Sequence, residues 1–446
     1  GALGASLIDY ADELDVGFSV VVSLGNMANV NPCDLLPLLE ADENTRLICM
    51  YMETIPEPYR FEQVMSRITK PVIVVKSGRT AAGAAAASSH TGSLAGNDSV
   101  ADALLRKCGV IRAENLEDAF LLASSMTKMP RIRGNRVGII SNAGGLGTLT
   151  TDVLVKYGFE LPELDAEERE ALARQLLPEA STHNPLDLVA PAPPAHYAIA
   201  AHAIVVDCVP PATVDTGEVA QAMVDILKST PIPIFSCFFG PTLGAAGRKV
   251  MKEGGIPTFR FPDQMVRTMR YMVEPPAASA ETRGCRTRVS TRAAARALLE
   301  NARPDAYLDA DTCFRLLSLY GIPLAESCYL PCGGAPRSLK MDYPVVAKID
   351  HPDIVHKSDV GGVRIGIRSG EELIALLDEW TAKFPGLRGI HVQQQITGDL
   401  EMIIGASLDP ALGHSVLTGL GGTLVELYKD VAFGHVPLSA ADPARM

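Results

Sequence analysis

No run of apolar residues in this chain reaches the roughly 18 to 20 needed to cross a bilayer, and its opening residues lack the charged-then-apolar layout of a secretory signal. Neither membrane embedding nor export is expected. Positive charge is also short: 40 Lys and Arg face 52 Asp and Glu, a net charge of −12, so the surface as a whole should repel nucleic acid and anionic lipid. A small molecule or another protein is the expected partner. The nine cysteines are odd in number and include no C-x-x-C pair, which reads as reduced thiol and a cytoplasmic location. Aromatics are few, at 5%, yet 47% of residues are hydrophobic, enough for several cores, and disorder is excluded as the main state. An initiator methionine is missing too. The chain opens on Gly1-Ala2-Leu3-Gly4, already inside a turn-to-helix pattern, so the true start is expected earlier.

At about 150 residues per domain the 446 residues suggest three domains, and an internal echo shows where two of them lie. The opening G-A-L-G leads a helical pattern through Leu7, Ile8 and Ala11 that ends near Gly17-Phe18, before the β-branched run from Ser19 to Val22. Further on, residues 137–140 read as a strand, and Gly144-Gly145-Leu146-Gly147 then opens a helix that ends near Gly158-Phe159. Asn31-Pro32-Cys33-Asp34-Leu35 is likewise answered by Asn184-Pro185-Leu186-Asp187-Leu188. Each is followed by a strand (47–52 and 204–209), a helix, and a second strand that opens with proline (71–75 and 231–235).

Strands alternating with helices predict parallel sheets covered on both faces. The expected division is two related α/β domains, 1–130 and 135–275, a Pro/Ala/Ser/Arg linker over 276–290, and an α+β domain over 291–446. Strands are predicted there at 345–348, 363–366, 390–393 and 402–404. Two joins, at 196–204 and 330–343, read as if residues were missing.

The most unusual window runs from Lys76-Ser77-Gly78-Arg79 through an alanine-rich run to Ser88-Ser89-His90-Thr91-Gly92-Ser93-Leu94-Ala95-Gly96-Asn97-Asp98. His90 stands among small residues, ahead of Asn97 or Asp98, either of which can cap a helix that ends at Gly109. A lone histidine is most often an incidental surface group. Here glycines and hydroxyls would let backbone N–H groups approach a phosphate, and imidazole is nucleophilic and largely neutral near pH 7.

The window S-H-T-G-S-L-A-G, the paired N-P-x-D-L elements, G-A-L-G followed by Val22-Ser23-Leu24-Gly25-Asn26, and the later His351-Pro352-Asp353-Ile354-Val355-His356-Lys357-Ser358-Asp359-Val360-Gly361-Gly362-Val363 resemble the NDP-forming acyl-CoA synthetases, relatives of succinyl-CoA synthetase. The resemblance covers nearly the whole chain. It implies two flavodoxin-like ligase domains followed by an ATP-grasp domain. It also implies the reaction of a carboxylic acid, CoA and ATP to acyl-CoA, ADP and phosphate, through an acyl phosphate and a phosphohistidine, with Mg2+ on the nucleotide.

By the same resemblance His90 is the phosphorylated histidine, and Glu53, at the end of a predicted strand, orients its imidazole. His356 corresponds to a second histidine at the nucleotide site. Lys348 is the strand lysine on the α- and β-phosphates, and Asp359, Gly361, Gly362 and Val363 form the loop over the phosphates. Gln393 lies on the hinge strand that meets adenine, and Glu401 opens the next strand. Ser89, Thr91 and Gly92, with Gly144 and Gly145 at a second glycine-rich helix start, are the expected phosphate-binding backbone.

A CoA-binding domain is expected before Gly1 and the magnesium carboxylates beyond Met446; no metal ligand is assigned within the chain. A homodimer is expected, and the identity of the acid is open. Two rivals stand beside this reading. One is a nucleotide- or CoA-sensing regulatory module of a lysine acetyltransferase-type protein; the other is an ATP-grasp ligase that works through acyl phosphate without a phosphohistidine.

Overall fold

The computed structural model describes residues 2–14, 16–91, 96–199, 205–210, 215–228, 232–273, 289–300, 302, 307–333, 341–354, 356–422, 430–439 and 441–446. They form two compact units, one of Gly1–Thr282, Ile403–Gly419 and Lys429–Met446, the other of Arg283–Met402 and Leu420–Tyr428. The region 291–446 is thus divided between them. No helix among the described residues is long and apolar enough to cross a membrane.

The first unit opens with helices α1 (Ala2–Glu13) and α2 (Pro32–Ala41), then strand β1 (Ile48–Met52), α3 (Pro58–Met65), β2 (Val72–Lys76), α4 (Ala81–Thr91), α5 (Asp98–Lys107), β3 (Ile111–Ala113) and α6 (Leu116–Lys128). β1, β2 and β3 pair in parallel in that order. β2 is central and buried along its whole length, as a continuous V-I-V-V run should be when both faces are covered. Asparagines start three of the helices: Asn31, Asn97 and Asn115 each accept a first-turn N–H, a role for which short polar side chains suit. The run from 81 to 91, expected as a stretch of small residues, is helical. Alanine has the highest helix propensity, and Thr80 Oγ1 caps the start by accepting Gly83 N–H at 3.1 Å. The run Val20 to Val22 is exposed and belongs to no strand.

The second parallel layer comprises β4 (Ile139–Ser141), α7 (Gly144–Lys156), α8 (Ala166–Ala173), β5 (Leu186–Asp187), α9 (Pro194–Ile199), β6 (Val205–Cys208), α10 (Thr216–Leu227), β7 (Phe235–Phe238), α11 (Ala245–Glu253), β8 (Thr258–Phe259) and α12 (Pro262–Met272). Its sheet order is β5-β4-β6-β7-β8, the 2-1-3-4-5 order of the flavodoxin-like fold. Ile139, Val205, Val206, Phe235, Met223 and Met265 lie in a core that continues into Ile73, Leu121 and Leu122 of the first layer. At this junction Arg267 on α12 donates to Asp118 on α6 at 2.9 Å, a buried carboxylate whose pKa burial raises and Arg267 lowers.

In the second unit come α13 (Val289–Leu299), α14 (Ala310–Leu319), β9 (Ser327–Pro331), β10 (Val345–Asp350), β11 (Val363–Ile367), α15 (Gly370–Lys383) and β12 (Gly389–Gln394). The strands form an antiparallel sheet in the order β11-β10-β12-β9. Val345, Ala347, Ile349, Ile390 and Val392 pack on Leu373, Leu376 and Trp380 of α15. A fourth sheet, β13 (Met402–Asp409), β14 (Gly413–Leu420) and β15 (Val431–His435), lies almost wholly in the first unit. Leu412, fully buried at the β13–β14 turn, joins the core made by Ile48, Val100, Leu104 and Leu105. Lys107 on α5 donates to the His435 carbonyl at 3.3 Å and pairs with Glu62 at 2.6 Å. The interrupted joins and the linker lie largely outside the described residues, as does Gly92.

Candidate active site

Two groups of residues carry the expected chemistry, one in each unit. In the second unit, strand alternation turns Ala347 and Ile349 into the core and leaves Val346, Lys348 and Asp350 on the opposite face. Lys348 stands opposite His391, which stands opposite Tyr329, and Val346 stands opposite Gln393. Lys348, Gln393, His391 and Tyr329 therefore share that face. Tyr329 donates to Asp350 Oδ2 at 2.9 Å, and the Phe314 ring packs 4.2 Å from that of His391. Burial lowers the pKa of Lys348, and the like charge of Lys357 lowers it further. Burial, then Lys348, lowers that of His391.

The glycine-rich loop is a tight turn that delivers β11 to β10. Gly361 N–H donates to Ser358 O at 3.1 Å and Gly362 N–H to Lys357 O at 2.7 Å. Gly361 has φ +72°, the left-handed region open to glycine. A Cβ at Gly362 would lie 2.5 Å from the Ile349 side chain, so both glycines are needed by the turn itself. Val363 then pairs opposite Lys348, which brings the loop and the strand lysine together. Asp359 and His356 are exposed beside the turn. Glu401 just precedes β13; its carbonyl accepts Gly421 N–H at 2.7 Å.

In the first unit, Met52 and Lys76 are in register, so Glu53 and Ser77 leave neighbouring parallel strands at their C-terminal edge, where sites of such sheets collect. Glu53 is half-buried. Lys76, 2% exposed, donates to Ser77 O at 2.9 Å; burial lowers its pKa while Asp98 pulls the other way. Ser89, His90 and Thr91 are the last three residues of α4. Gly144 and Gly145 begin α7 directly after β4, and Ala143 gives that helix no side-chain cap; Leu146 N–H and Gly147 N–H donate to the Ala143 carbonyl at 3.1 Å, so the amides that could meet an anion are those of Gly144 and Gly145. A Cβ at Gly144 would lie 3.0 Å from Asp187 Oδ2.

The residues that motif reading missed are His391, Tyr329 and Phe314. The signal was present for His391: in Ile390-His391-Val392-Gln393 the polar positions alternate with core positions, which sets His391 and Gln393 on one face. Among the described residues no three His, Cys, Asp or Glu side chains stand together in a group that could hold a metal ion.

Comparison with known proteins matches residues 1–126 to the succinyl-CoA ligase like flavodoxin domain and residues 297–446 to the ATP-grasp domain. The chain is 30% identical over its whole length to an acetate–CoA ligase [ADP-forming] of Archaeoglobus fulgidus, covering 67% of that protein. It is also 30% identical over 98% of its length to a 4-hydroxybutyrate–CoA ligase [ADP-forming] of Nitrosopumilus maritimus, covering 66% of it. The chain thus spans about two thirds of the length of these curated relatives. A solved dinucleotide forming acetyl-coenzyme A synthetase of Ca. Korarchaeum cryptofilum, in complex with phosphate and ADP, superposes with a TM-score of 0.57 at 30% identity, over 61% of this chain and 62% of that one.

Proposed function

The chain belongs to the ADP-forming acetate–CoA ligase family, and we propose that it makes an acyl-CoA from a carboxylic acid, CoA and ATP, with release of ADP and phosphate. One observation supports this reading: the two stretches that would hold the ends of a phosphoryl relay lie in a single polypeptide. His90 and Glu53 lie in the stretch matched by the ligase domain, and Lys348 with its glycine turn lies in the stretch matched by the ATP-grasp domain. A module that merely sensed a ligand has no need of the first pair.

In the proposed sequence the bond from the γ-phosphorus to ADP breaks as a P–N bond forms on His90. A carboxylate oxygen of the acid then takes the phosphoryl group, giving an acyl phosphate and freeing the imidazole. Finally the CoA sulfur, losing its proton, displaces phosphate and forms the thioester. Phosphoryl transfer asks a protein chiefly for positioning and charge compensation. Lys348 and Lys357 repel each other across a half-buried face, and a triphosphate laid beside them would turn that repulsion into attraction.

The remaining roles follow from position. The turn at Asp359, Gly361, Gly362 and Val363 would cover the phosphates, with His356 beside it as a relay. Gln393 would meet adenine by its strand backbone, with Glu401 at the next strand. Glu53 would orient His90, and the amides at Gly92, Gly144 and Gly145 would receive the transferred phosphate; Ser89 and Thr91, expected in the same role, fall in the last turn of α4, where N–H groups are taken up inside the helix and the free groups are carbonyls. ATP is ordinarily carried with magnesium, but no cluster among the described residues fits that ion.

The relatives are named for acetate and 4-hydroxybutyrate, and the proposal stops at the carboxylic acid class. A cytoplasmic homodimer belongs to the same proposal. Full-length protein incubated with γ-labelled ATP should take up acid-labile phosphate that His90→Ala removes and Glu53→Gln slows. Net ADP release should then require both an acid and CoA. Label that persists in His90→Ala would overturn the relay.

A further inference from the structure

We propose that His391, on β12, is a further nucleotide-binding residue, whose ring N–H donates to an oxygen of the α- or β-phosphate that ATP and ADP share; this rests on the reading above that sets the nucleotide phosphates beside Lys348. His391 is 4% exposed, yet neither of its ring nitrogens makes a hydrogen bond among the described residues. Buried polar groups are ordinarily paired, and one left unpaired has given up its hydration for nothing. The other buried histidine of the chain shows the usual arrangement: His435 is 1% exposed, and its Nε2 lies 2.8 Å from Leu412 O. What covers His391 is instead the Phe314 ring, 4.2 Å away between centres, which offers no acceptor in its plane. The hydroxyl of Tyr329, its neighbour on β9, is turned to Asp350 at 2.9 Å.

The charge around the ring decides what it can offer. Burial lowers the pKa of His391, Lys348 and then Lys357 add to the lowering, and Asp311 and Asp350 oppose it. The imidazole is therefore neutral near pH 7, with one N–H donor and one lone pair. A charged ring would join the repulsion between Lys348 and Lys357 in the empty protein. A neutral ring avoids that and still holds out a donor.

The strand register says which part of a nucleotide the donor meets. Val363, Lys348 and His391 stand opposite one another across β11, β10 and β12, and directly opposed residues of antiparallel strands have Cβ atoms about 4.5–5.5 Å apart. His391 is thus level with the lysine and with the end of the glycine turn. Gln393, whose strand backbone would meet adenine, lies two residues further along β12 and level with Val346, a step of about 6.8 Å. The imidazole therefore belongs to the phosphates that Lys348 attracts and not to the base.

The test is the affinity of the full-length protein for ADP, ATP and adenosine by calorimetry, with the ligand-free urea midpoint measured alongside. His391→Leu, close to histidine in volume and without nitrogen, should weaken ADP and ATP about tenfold, the value of roughly one hydrogen bond to a charged group. Adenosine, which has no phosphate, should bind as before. The ligand-free midpoint should hold, because the packing lost against Phe314 is offset by the removal of two unpaired polar groups. Unchanged ADP affinity in His391→Leu overturns the proposal. So does a loss of adenosine affinity by the same factor, which would set the ring against the nucleoside. A lower ligand-free midpoint overturns it as well, since the folded protein would then be using the imidazole itself. Wild-type protein that binds neither ADP nor ATP overturns the nucleotide reading on which the proposal rests, before any variant is compared.

Discussion

In the second parallel layer Asn184 Oδ1 accepts Ile139 N–H at 3.1 Å, and its Nδ2 donates to Val137 O and Pro162 O, both at 2.9 Å. In the first layer Asn31, which opens the same N-P-x-D-L pattern, accepts Cys33 N–H at 2.8 Å and donates to Glu57 at 2.7 Å. Asp34 closes a capping box with it. The pattern therefore stitches β5 to the flank of β4 in one layer and starts helix α2 in the other. The sheets differ to match: five strands pair in the second, three in the first, and the exposed Val20–Val22 run pairs with none among the described residues. The pattern is a polar connector whose partner is whichever backbone stands beside it. A strand edge takes it in one case, a helix start in the other.

The second layer also buries an acid where the first holds one at its edge. Asp207, in β6, is fully buried. Thr150 donates to its Oδ2, and its Oδ1 has no partner among the described residues. Burial pushes the carboxyl up to about 7 from an ordinary 3.8. The unfolded chain releases this proton first, so the stability the protonated group contributes is complete below about pH 4 and is lost as pH rises to about 7. A shift of that size corresponds to about 4 kcal/mol at most. Asp207→Asn, neutral throughout, should remove the decline, and denaturant midpoints at pH 4, 5.5 and 7 measure it. Parallel pH profiles in variant and wild type would show that this carboxyl is not the group responsible.

The next largest effect should come from Asn184→Ala. Three hydrogen bonds disappear and strand-flank groups of Val137 and Ile139 lose their partner, for roughly 3 kcal/mol at about 1 kcal/mol per bond. Because the loss falls on β4, which is hydrogen-bonded to both β5 and β6, amide exchange should quicken across all three strands. Exchange that rises at Ile139 alone would mean the connector holds one residue and not the sheet.

Much of this layering was legible in advance. Strands alternating with helices gave parallel sheets because a β-branched run buried on both faces has few other solutions. The alternation that sets His391 and Gln393 on one face was present in Ile390-His391-Val392-Gln393, although motif reading passed over His391. Two things were hidden for a common reason. The alanine run ending in Ser89, His90 and Thr91 is helical, although its small side chains carry no apolar stripe from which periodicity could be read. The docking of Leu412 against α5 depends on residues more than 300 positions apart, and nothing in a local pattern says which surface a hairpin will meet. The echo between the layers was visible, but its two uses were not, since Asn31 and Asn184 differ in what lies opposite them and not in their own neighbours.

The smallest effect, and the sharpest comparison, should come from Asn31→Ala. Here the lost interactions are a helix cap and a hydrogen bond to Glu57, which is exposed and already paired with Arg60 at 2.8 Å. Removing an asparagine cap costs typically about 1 kcal/mol, and the Glu57 contact adds little in solvent. Asn31→Asp should restore most of the loss, because a carboxylate caps a helix start as well as an amide does. Asn184→Asp should not, because Val137 O and Pro162 O need a donor and a carboxylate has none. The aspartate pair therefore separates the two roles in one urea titration series: rescue at 31 with failure at 184 is the outcome the geometry requires, and equal rescue at both would mean that the two asparagines serve as interchangeable acceptors.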